Sequence, residues 1–269
     1  MSTHEGKRNR GKLETPPDLL FDLLLKIDFK QQVRLVKQVT DLHRIAAFLV
    51  HGESNCGQRL LVTRLCCLKR QWKNISPIKI DVSSNGVGMR LPHLWRQLAY
   101  RFRLPKDTQP NEIIEKVCDR FSTQDVIFIF YTVDYMPSEY LEQWLQEFWE
   151  PLVARVESSC RTSKEKHLLM FLVDNSSRVY QSNIALAKQY QQPEYPRIPL
   201  PLPPVSPFTS NILDDWISDA IVHRDVQMSA ELTSQVLLEK SEGIPELVYE
   251  TICDYCGHDW EGDLARWLI

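Results

Sequence analysis

The sequence predicts an α/β protein in which a parallel sheet of about five strands carries helices on both faces and is followed by a C-terminal helical section. Short, wholly apolar runs such as 45–50 and 168–173 suit strands that are buried on both faces. Segments with the apolar periodicity of an amphipathic helix separate these runs along the chain, as βαβ units require. From about residue 209 the helical segments follow one another with no strand between them, which predicts the helical section.

The N-terminal part of the chain is predicted to be a tail followed by helices. Residues 1–12 carry four cations and one acid, and we expect a disordered basic tail over 1–16. Apolar residues recur at helical spacing over 18–43, and Asp18 suits an N-cap after the preceding proline pair. Residues 45–50 form the first predicted strand, a glycine loop follows at 52–57, and a helix begins after it.

The middle and the end of the chain continue this alternation. Strands are predicted at 78–82, 126–133 and 168–173. The segment 197–202 is predicted to be an edge strand or merely extended, because its prolines cannot donate to a central ladder. Helices are predicted around 94–100, 111–120 and 138–156, and then at 209–222, 229–241 and 244–257. We therefore expect an α/β domain over 17–207, ending in a proline-rich connector, and a helical lid-like subdomain over 208–269.

Composition excludes several classes of function. The net charge of −3 gives no support to a nucleic-acid partner, and no apolar run approaches the roughly 18 residues that a membrane span needs. Seven cysteines, an odd number that includes the adjacent Cys66 and Cys67, do not suit a secreted disulfide framework. We therefore expect a protein of the reducing cytoplasm.

The glycine loop carries the most specific pattern in the chain. Gly52 and Gly57, with Asn55 between them, match the glycine spacing of the phosphate-binding pattern G-x-x-x-x-G-K-[ST]. Gln58 stands where the pattern requires a lysine that contacts the phosphates. Arg59 stands where it requires a hydroxyl that holds Mg²⁺. The sequence therefore predicts the shape of a nucleotide-binding loop without its chemistry, although such a pair of glycines also fits a tight strand–helix turn.

A second motif of nucleotide hydrolases is also only partly matched. Asp134 ends the hydrophobic strand 126–133, as the metal-binding acid of a nucleotide hydrolase does. The next residue, where many ATPases place a catalytic Glu, is Tyr135. The alternative is that Asp134 only ends its strand or caps the next helix.

Three further segments carry a resemblance to a known family. They are Ser176-Ser177-Arg178 after the strand 168–173, Gly243-Ile244-Pro245 at the start of the last helix, and Pro204–Phe208 before the first helix of the C-terminal section. Together with the loop and Asp134, they occur in the order found in STAND NTPases, the NACHT and NB-ARC relatives of AAA+ ATPases. The chain resembles the nucleotide-binding module of that family, over about residues 45 to 257.

The resemblance implies a fold and a set of roles. It implies a three-layer P-loop NTPase-like domain with strand order 5-1-4-3-2 and a helical lid. Arg178 would correspond to the sensor of the γ-phosphate, and Pro245 to the residue that lies against the nucleotide base. The alternatives are that Arg178 is a surface residue, since Asp174 and Asn175 separate it from the strand, and that Gly243-Ile-Pro simply starts a helix.

The substitutions at Gln58, Arg59 and Tyr135 make the chain similar to the inactive branch of bacterial, often cyanobacterial, STAND proteins. That branch implies a catalytically inactive signalling or scaffold domain, not an enzyme, which acts through contacts with effector or adaptor proteins in signalling or defence systems. No cofactor is expected, and ATP with Mg²⁺ is not favoured. The alternative is a nucleotide-binding or weakly active ATPase switch with non-standard loop residues. A nucleic-acid binder that uses the tail and the basic residues near 59–73 is the least favoured hypothesis.

Other residues could carry chemistry of a different kind. Cys253, Cys256 and His258 have the spacing of half a zinc site, but a structural site needs four ligands. Buried thiols are therefore preferred and no metal is expected, while the role of the two cysteines stays open. Cys56 beside His51 suggests a nucleophile only weakly. The aromatic helix at 138–156 either packs against the sheet or presents a patch for a protein partner.

Overall fold

The computed structural model describes residues 16–83, 90–159, 166–222, 229 and 231–269. The predicted tail at 1–16 therefore lies outside the described residues, apart from Pro16. Two structural units are present. An α/β unit comprises Phe29–Pro207 and Ile269, and a helical unit comprises Phe208–Leu268 together with the described residues up to Asp28.

The α/β unit is built on a five-stranded parallel sheet. Its strands are β1 (Ile45–Val50), β2 (Ile78–Asp81), β3 (Val126–Tyr131), β4 (Leu168–Val173) and β5 (Leu200–Pro201). They lie in the order β2-β3-β4-β1-β5, with β1 paired to β4 along its whole length and β5 as a two-residue edge. This is the predicted strand order read from the other edge, so the predicted fold class is confirmed. The β5 edge position agrees with the prolines that surround it.

The helices follow the predicted alternation. In chain order they are α1 (Pro17–Leu24), α2 (Lys30–Leu42), α3 (Gln58–Cys66), α4 (Arg70–Lys73), α5 (Leu91–Arg101), α6 (Pro110–Thr123), α7 (Ser138–Trp144), α8 (Glu150–Ser159), α9 (Ser210–Val222), α10 (Ser234–Ser241) and α11 (Pro245–Cys256). A 3₁₀ turn at Val133–Tyr135 follows β3, and a π-helical turn at Leu145–Trp149 joins α7 to α8. Every residue of β1, β3 and β4 is buried, as expected for strands covered on both faces.

The aromatic helix forms core rather than a surface patch. Trp144, Phe148 and Trp149 are at most 1% exposed. The Trp144 ring stacks on Phe148 with centroids 4.6 Å apart, and the Trp95 ring of α5 meets Trp144 edge-on at 4.9 Å. Of the two alternatives for this helix, packing against the sheet is therefore the one observed.

The helical unit differs from the predicted domain boundary. Helix α1 belongs to it, although we assigned residues 17–28 to the α/β domain. The physical reason is the apolar face of α1, which packs within the helical unit. Phe21 meets the Trp267 ring edge-on at 5.4 Å, and Trp216 Nε1 donates a hydrogen bond to the Leu23 carbonyl at 3.0 Å. Across both units, none of the described helices combines the length and the apolar character needed to cross a membrane.

Candidate functional site

The glycine loop lies where the sequence predicts, between the end of β1 and the start of α3. Three of its residues have positive φ angles, which are 153° at Gly52, 62° at Asn55 and 78° at Gly57. Gly57 is the N-cap of α3, so the loop leads directly into a helix N-terminus. The backbone thus has the strand–loop–helix arrangement on which phosphate loops are built.

The interior of the loop is occupied by Gln58. This side chain is 2% exposed, and its Nε2 donates a hydrogen bond to the Glu53 carbonyl at 2.7 Å. The Cys56 N–H donates to the same carbonyl at 3.3 Å. A neutral amide therefore closes the loop from within, and it brings no positive charge to the place where a triphosphate would need one.

The first residues of the loop are fixed by a segment that follows β5. Gly52 forms a parallel bridge with Val205, the Glu53 N–H donates to the Val205 carbonyl at 3.3 Å, and the Val205 N–H donates to the His51 carbonyl at 2.9 Å. The Ser177 hydroxyl donates to the Gly52 carbonyl at 2.8 Å. Backbone N–H and C=O groups at the start of the loop thus form hydrogen bonds with other segments of the protein.

Arg59 points toward the ends of β2 and β3. Its guanidinium lies 5.6 Å from the centroid of the Tyr131 ring. Burial raises the pKa of Asp81, but hydrogen bonds from Thr132 and Ser83 and the charge of Arg59 outweigh it and hold that pKa below the ordinary value. A cation at this position favours carboxylates and aromatic faces and cannot ligate Mg²⁺, which binds oxygen ligands.

Asp134 connects the 3₁₀ turn after β3 to the turn after β4. One carboxylate oxygen accepts a hydrogen bond from the Asn175 N–H at 3.2 Å, and the other accepts one from the Ser176 hydroxyl at 2.9 Å. The carboxylate therefore holds two strand ends together. Tyr135, in the place of a catalytic Glu, is 64% exposed.

The sensor-like segment is organised by Asp174, which sequence reasoning treated only as an insertion. This fully buried carboxylate accepts hydrogen bonds from the N–H groups of Ser176, Arg178 and Tyr180, at 3.3, 3.1 and 3.0 Å. Burial, reinforced by the nearby charge of Asp134, raises the pKa of Asp174. Arg178 is exposed, and its backbone rather than its guanidinium is the part anchored here. The signal in the sequence was an acid directly after a buried strand.

His51 is a second residue that the sequence did not single out as part of this edge. It directly follows β1, is 3% exposed and stacks on the Tyr180 ring with centroids 3.9 Å apart. Among the described residues, no hydrogen-bond partner is found for its buried Nδ1. Burial lowers the pKa of His51, and a hydrogen bond to the Leu202 backbone opposes that shift only in part.

Replacing His51 with Phe is expected to flatten the pH dependence of stability below neutrality. A histidine whose folded pKa lies below its unfolded value, about 6.5, stabilises the fold fully above the unfolded value and loses the contribution as the pH falls from there through the folded pKa. Phe keeps a ring against Tyr180 but has no proton to bind. Urea midpoints at neutral and mildly acidic pH test this, and an equal loss of stability in His51→Phe and the wild type would contradict it.

The remaining predicted site residues are placed elsewhere. Gly243 and Pro245 belong to the helical unit, where Gly243 has φ 77° and its carbonyl accepts a hydrogen bond from the Phe208 N–H at 2.7 Å. Pro245 is the first residue of α11, where its missing N–H costs nothing. Gly243 and Pro245 therefore both have structural roles in the helical unit.

The cysteine alternatives gain no support from the geometry. Cys56 is 1% exposed, so its thiol is closed to a substrate. Cys253 and Cys256 are buried in α11, and burial raises the pKa of Cys256 to about 11. Over the described parts of the chain, no group of three or more His, Cys, Asp and Glu side chains is arranged to hold a metal ion.

Within the α/β unit, the structure thus brings the loop, Asp134 and the 176–178 segment together at the carboxyl edge of the sheet. Hydrogen bonds of Ser177 with Gly52 and of Ser176 with Asp134 join them directly. Val205 completes this edge; the sequence placed it in the Pro204–Phe208 segment but did not predict its pairing with Gly52.

Comparison with a solved structure supports the fold. A Walker-type ATPase of Pyrococcus abyssi matches with a TM-score of 0.54 and 16% identity, over 90% of this chain and 71% of that protein. The Orc1 protein of Aeropyrum pernix, solved in complex with DNA, matches with a TM-score of 0.44 and 12% identity, over 89% of this chain and 59% of that one. At 16% identity, the likeness to the Pyrococcus abyssi protein concerns the fold alone. A search of curated protein sequences finds no significant match.

A protein-family model gives the more specific result. The model described as inactive STAND matches residues 24–173, which is more than half of the chain. The match includes the glycine loop with Gln58 and Arg59, the strand that leads to Asp134, and Tyr135. The chain therefore belongs to the inactive STAND family.

Proposed function

We propose that this chain is a catalytically inactive STAND module that acts through contacts with effector or adaptor proteins, in a signalling or defence system. The observation that carries the proposal is the buried Gln58 side chain, whose amide donates to the Glu53 carbonyl inside the loop. Because the Gln58 side chain closes the loop, the loop forms internal hydrogen bonds in place of hydrogen bonds to an anion. The family match supports the inactive state, since its members are described as inactive.

The other positions that correspond to catalytic residues support the same proposal. Hydrolysis of a nucleotide needs a lysine on the phosphates, a hydroxyl and an acid on Mg²⁺, and a group that orients water. Here Arg59 lies over Tyr131, and both oxygens of Asp134 accept hydrogen bonds from the 175–176 turn. The side chains of Arg59 and Asp134 thus contact neighbouring structure, while Tyr135, in the place of a catalytic Glu, is exposed. The α/β unit remains as a folded scaffold on which a protein partner can bind.

Thermal unfolding with ATP and Mg²⁺ tests the proposal. A ligand that binds only the native state raises the midpoint, so millimolar ATP is expected to leave the midpoint of this protein unchanged. The matched comparison is the double variant Gln58→Lys/Arg59→Thr, which restores the charge and the hydroxyl, and for which we expect an ATP-dependent rise.

The alternative, a nucleotide-binding or weakly active ATPase switch, makes the opposite prediction. A clear rise in the wild-type midpoint with ATP would contradict the proposal. So would measurable ATP turnover that is lost in Asp134→Ala, because such turnover would give the Asp134 carboxylate the metal-binding role that we consider absent.

A further inference from the structure

A groove in the α/β unit, away from the glycine loop, is not used by the proposed site. It has a volume of about 540 Å³ and is bounded by the starts of α5 and α6 and by α7. Its lining includes Arg90, Leu91, Trp95, Arg96, Lys106 and Tyr140. A volume of this size lies within the roughly 300–1,000 Å³ typical of ligand pockets.

The floor of the groove is apolar and rigid. Trp95 is 8% exposed and is held by edge-on contacts with Trp144 at 4.9 Å and Phe148 at 5.7 Å. Tyr140, on the facing helix, is 38% exposed. A well-packed indole and a partly exposed tyrosine form a surface that suits an apolar side chain of a partner. Aromatic side chains contribute contact area at low cost in conformational entropy.

The rim of the groove carries positive charge, although the whole chain has a net charge of −3. Arg90, Arg96 and Lys106 are exposed on it, and Arg96 is oriented by a hydrogen bond from its Nε to the Pro92 carbonyl at 3.1 Å. The lining also contains two carboxylates, Asp107 and Glu147, so three cations face two anions, and Glu147 accepts a hydrogen bond from Gln143 at 2.6 Å. The dipoles of α5 and α6, both of which begin at the groove, add to the same positive potential.

From this combination we infer that the groove binds an acidic linear segment of a protein partner, with an aliphatic or aromatic side chain seated on Trp95 and carboxylates facing Arg90, Arg96 and Lys106. Charge complementarity favours the acidic segment, since the three cations outnumber the carboxylates Asp107 and Glu147 and two helix N-termini add to the positive potential. The inference rests on the proposed function in that the chain acts through protein contacts, and it assigns those contacts to a particular surface.

Selection of a phage-displayed library of random dodecapeptides against the whole chain tests the inference. We expect enriched peptides with net negative charge and at least one Leu, Phe, Tyr or Trp. The affinity of the leading synthetic peptide, measured by fluorescence anisotropy, is expected to fall at least about tenfold in Arg90→Glu/Arg96→Glu, which corresponds to about 1.4 kcal/mol. It is also expected to fall in Tyr140→Ala, which removes an anchor contact without altering charge.

The matched control reverses two cations on another surface of the same unit. Arg34→Glu/Lys37→Glu changes exposed residues of α2 and is expected to leave the affinity unchanged. Failure to enrich any peptide, enrichment of basic peptides, or equal affinity for the groove variants and the control would overturn the inference. Binding of a single-stranded DNA oligonucleotide that the groove variants abolish, with no acidic peptide enriched, would assign the groove to nucleic acid instead.

The two proposals fail in different ways. Nucleotide binding by the wild type would contradict the inactive state and would leave a peptide-binding groove in place. Absence of peptide binding, with no effect of ATP on the unfolding midpoint, would remove the groove as a docking site and would leave the inactive state intact.

Discussion

Replacing Gly52 with Ala is expected to lower the free energy of unfolding by roughly 3 to 5 kcal/mol, from the sum of backbone strain and overpacking. A Cβ atom at this position would lie 2.2 Å from the Val205 carbonyl oxygen and 2.5 Å from Val205 Cγ2. The backbone at Gly52 also has φ 153°, which residues with a side chain rarely adopt. The bridge between Gly52 and Val205 would have to open, so the loop would lose the contact that fixes its first residues.

Urea denaturation followed by circular dichroism measures this loss. Ser54→Ala is the matched control, because Ser54 is an exposed residue of the same loop and its loss is expected to change stability by less than about 0.5 kcal/mol. If Gly52→Ala and Ser54→Ala unfold at the same urea concentration, the close approach of Val205 does not hold the loop in the way described.

Two buried tryptophans are expected to respond differently to replacement by Phe. Trp149 Nε1 donates a hydrogen bond to the Pro196 carbonyl at 2.7 Å, so Trp149→Phe loses both volume and a buried hydrogen bond and is expected to cost about 2 to 4 kcal/mol. Among the described residues, the buried Nε1 of Trp144 finds no hydrogen-bond partner. Trp144→Phe therefore removes an unpaired donor along with the volume, and we expect a cost of about 1 kcal/mol or less.

The matching Ala variants separate volume from hydrogen bonding. Trp144→Ala and Trp149→Ala are each expected to cost about 3 to 5 kcal/mol, because both side chains are buried in the same core. Urea denaturation again provides the measurement. A Trp144→Phe variant as unstable as Trp149→Phe would mean that the hydrogen bond to Pro196 contributes nothing to the difference.

The architecture of the sheet follows from patterns that are local in the sequence. The apolar runs at 45–50, 126–133 and 168–173 became β1, β3 and β4, since a strand with no polar face must be buried on both sides. Strand β3 ends two residues earlier than predicted, at Tyr131, because Thr132 has φ 57° and a 3₁₀ turn begins at Val133. The strand order needed more than periodicity. The alternation of strands and helices predicts a doubly wound sheet, and the resemblance to STAND proteins implied the order that the structure has.

The helical unit shows what local sequence patterns do not predict. The periodicity predicted helix α1, and Leu20, Phe21 and Leu23 on its apolar face are buried. Which surface covers that face depends on residues nearly two hundred positions away, such as Trp216, whose Nε1 bonds the Leu23 carbonyl. Amphipathicity indicates that a face is buried and does not identify its partner.

By itself, the sequence determined that the glycine loop has lost its chemistry, because the lysine and the hydroxyl are absent at Gln58 and Arg59 whatever the fold. Only the tertiary structure decided what replaced that chemistry. Gln58 folds back on Glu53, Val205 pairs with Gly52, and Asp134 binds the 175–176 turn. The contacts of Gly52 with Val205 and of Asp134 with the 175–176 turn join segments that are far apart in the chain, and long-range pairing leaves no periodic signal in either segment. Gln58 and Glu53 are only five residues apart, but residue identity alone does not specify that the Gln58 amide turns back into the loop. The residue types of the site can therefore be read from the sequence, while the contacts that close the glycine loop depend on the packing of the whole sheet edge.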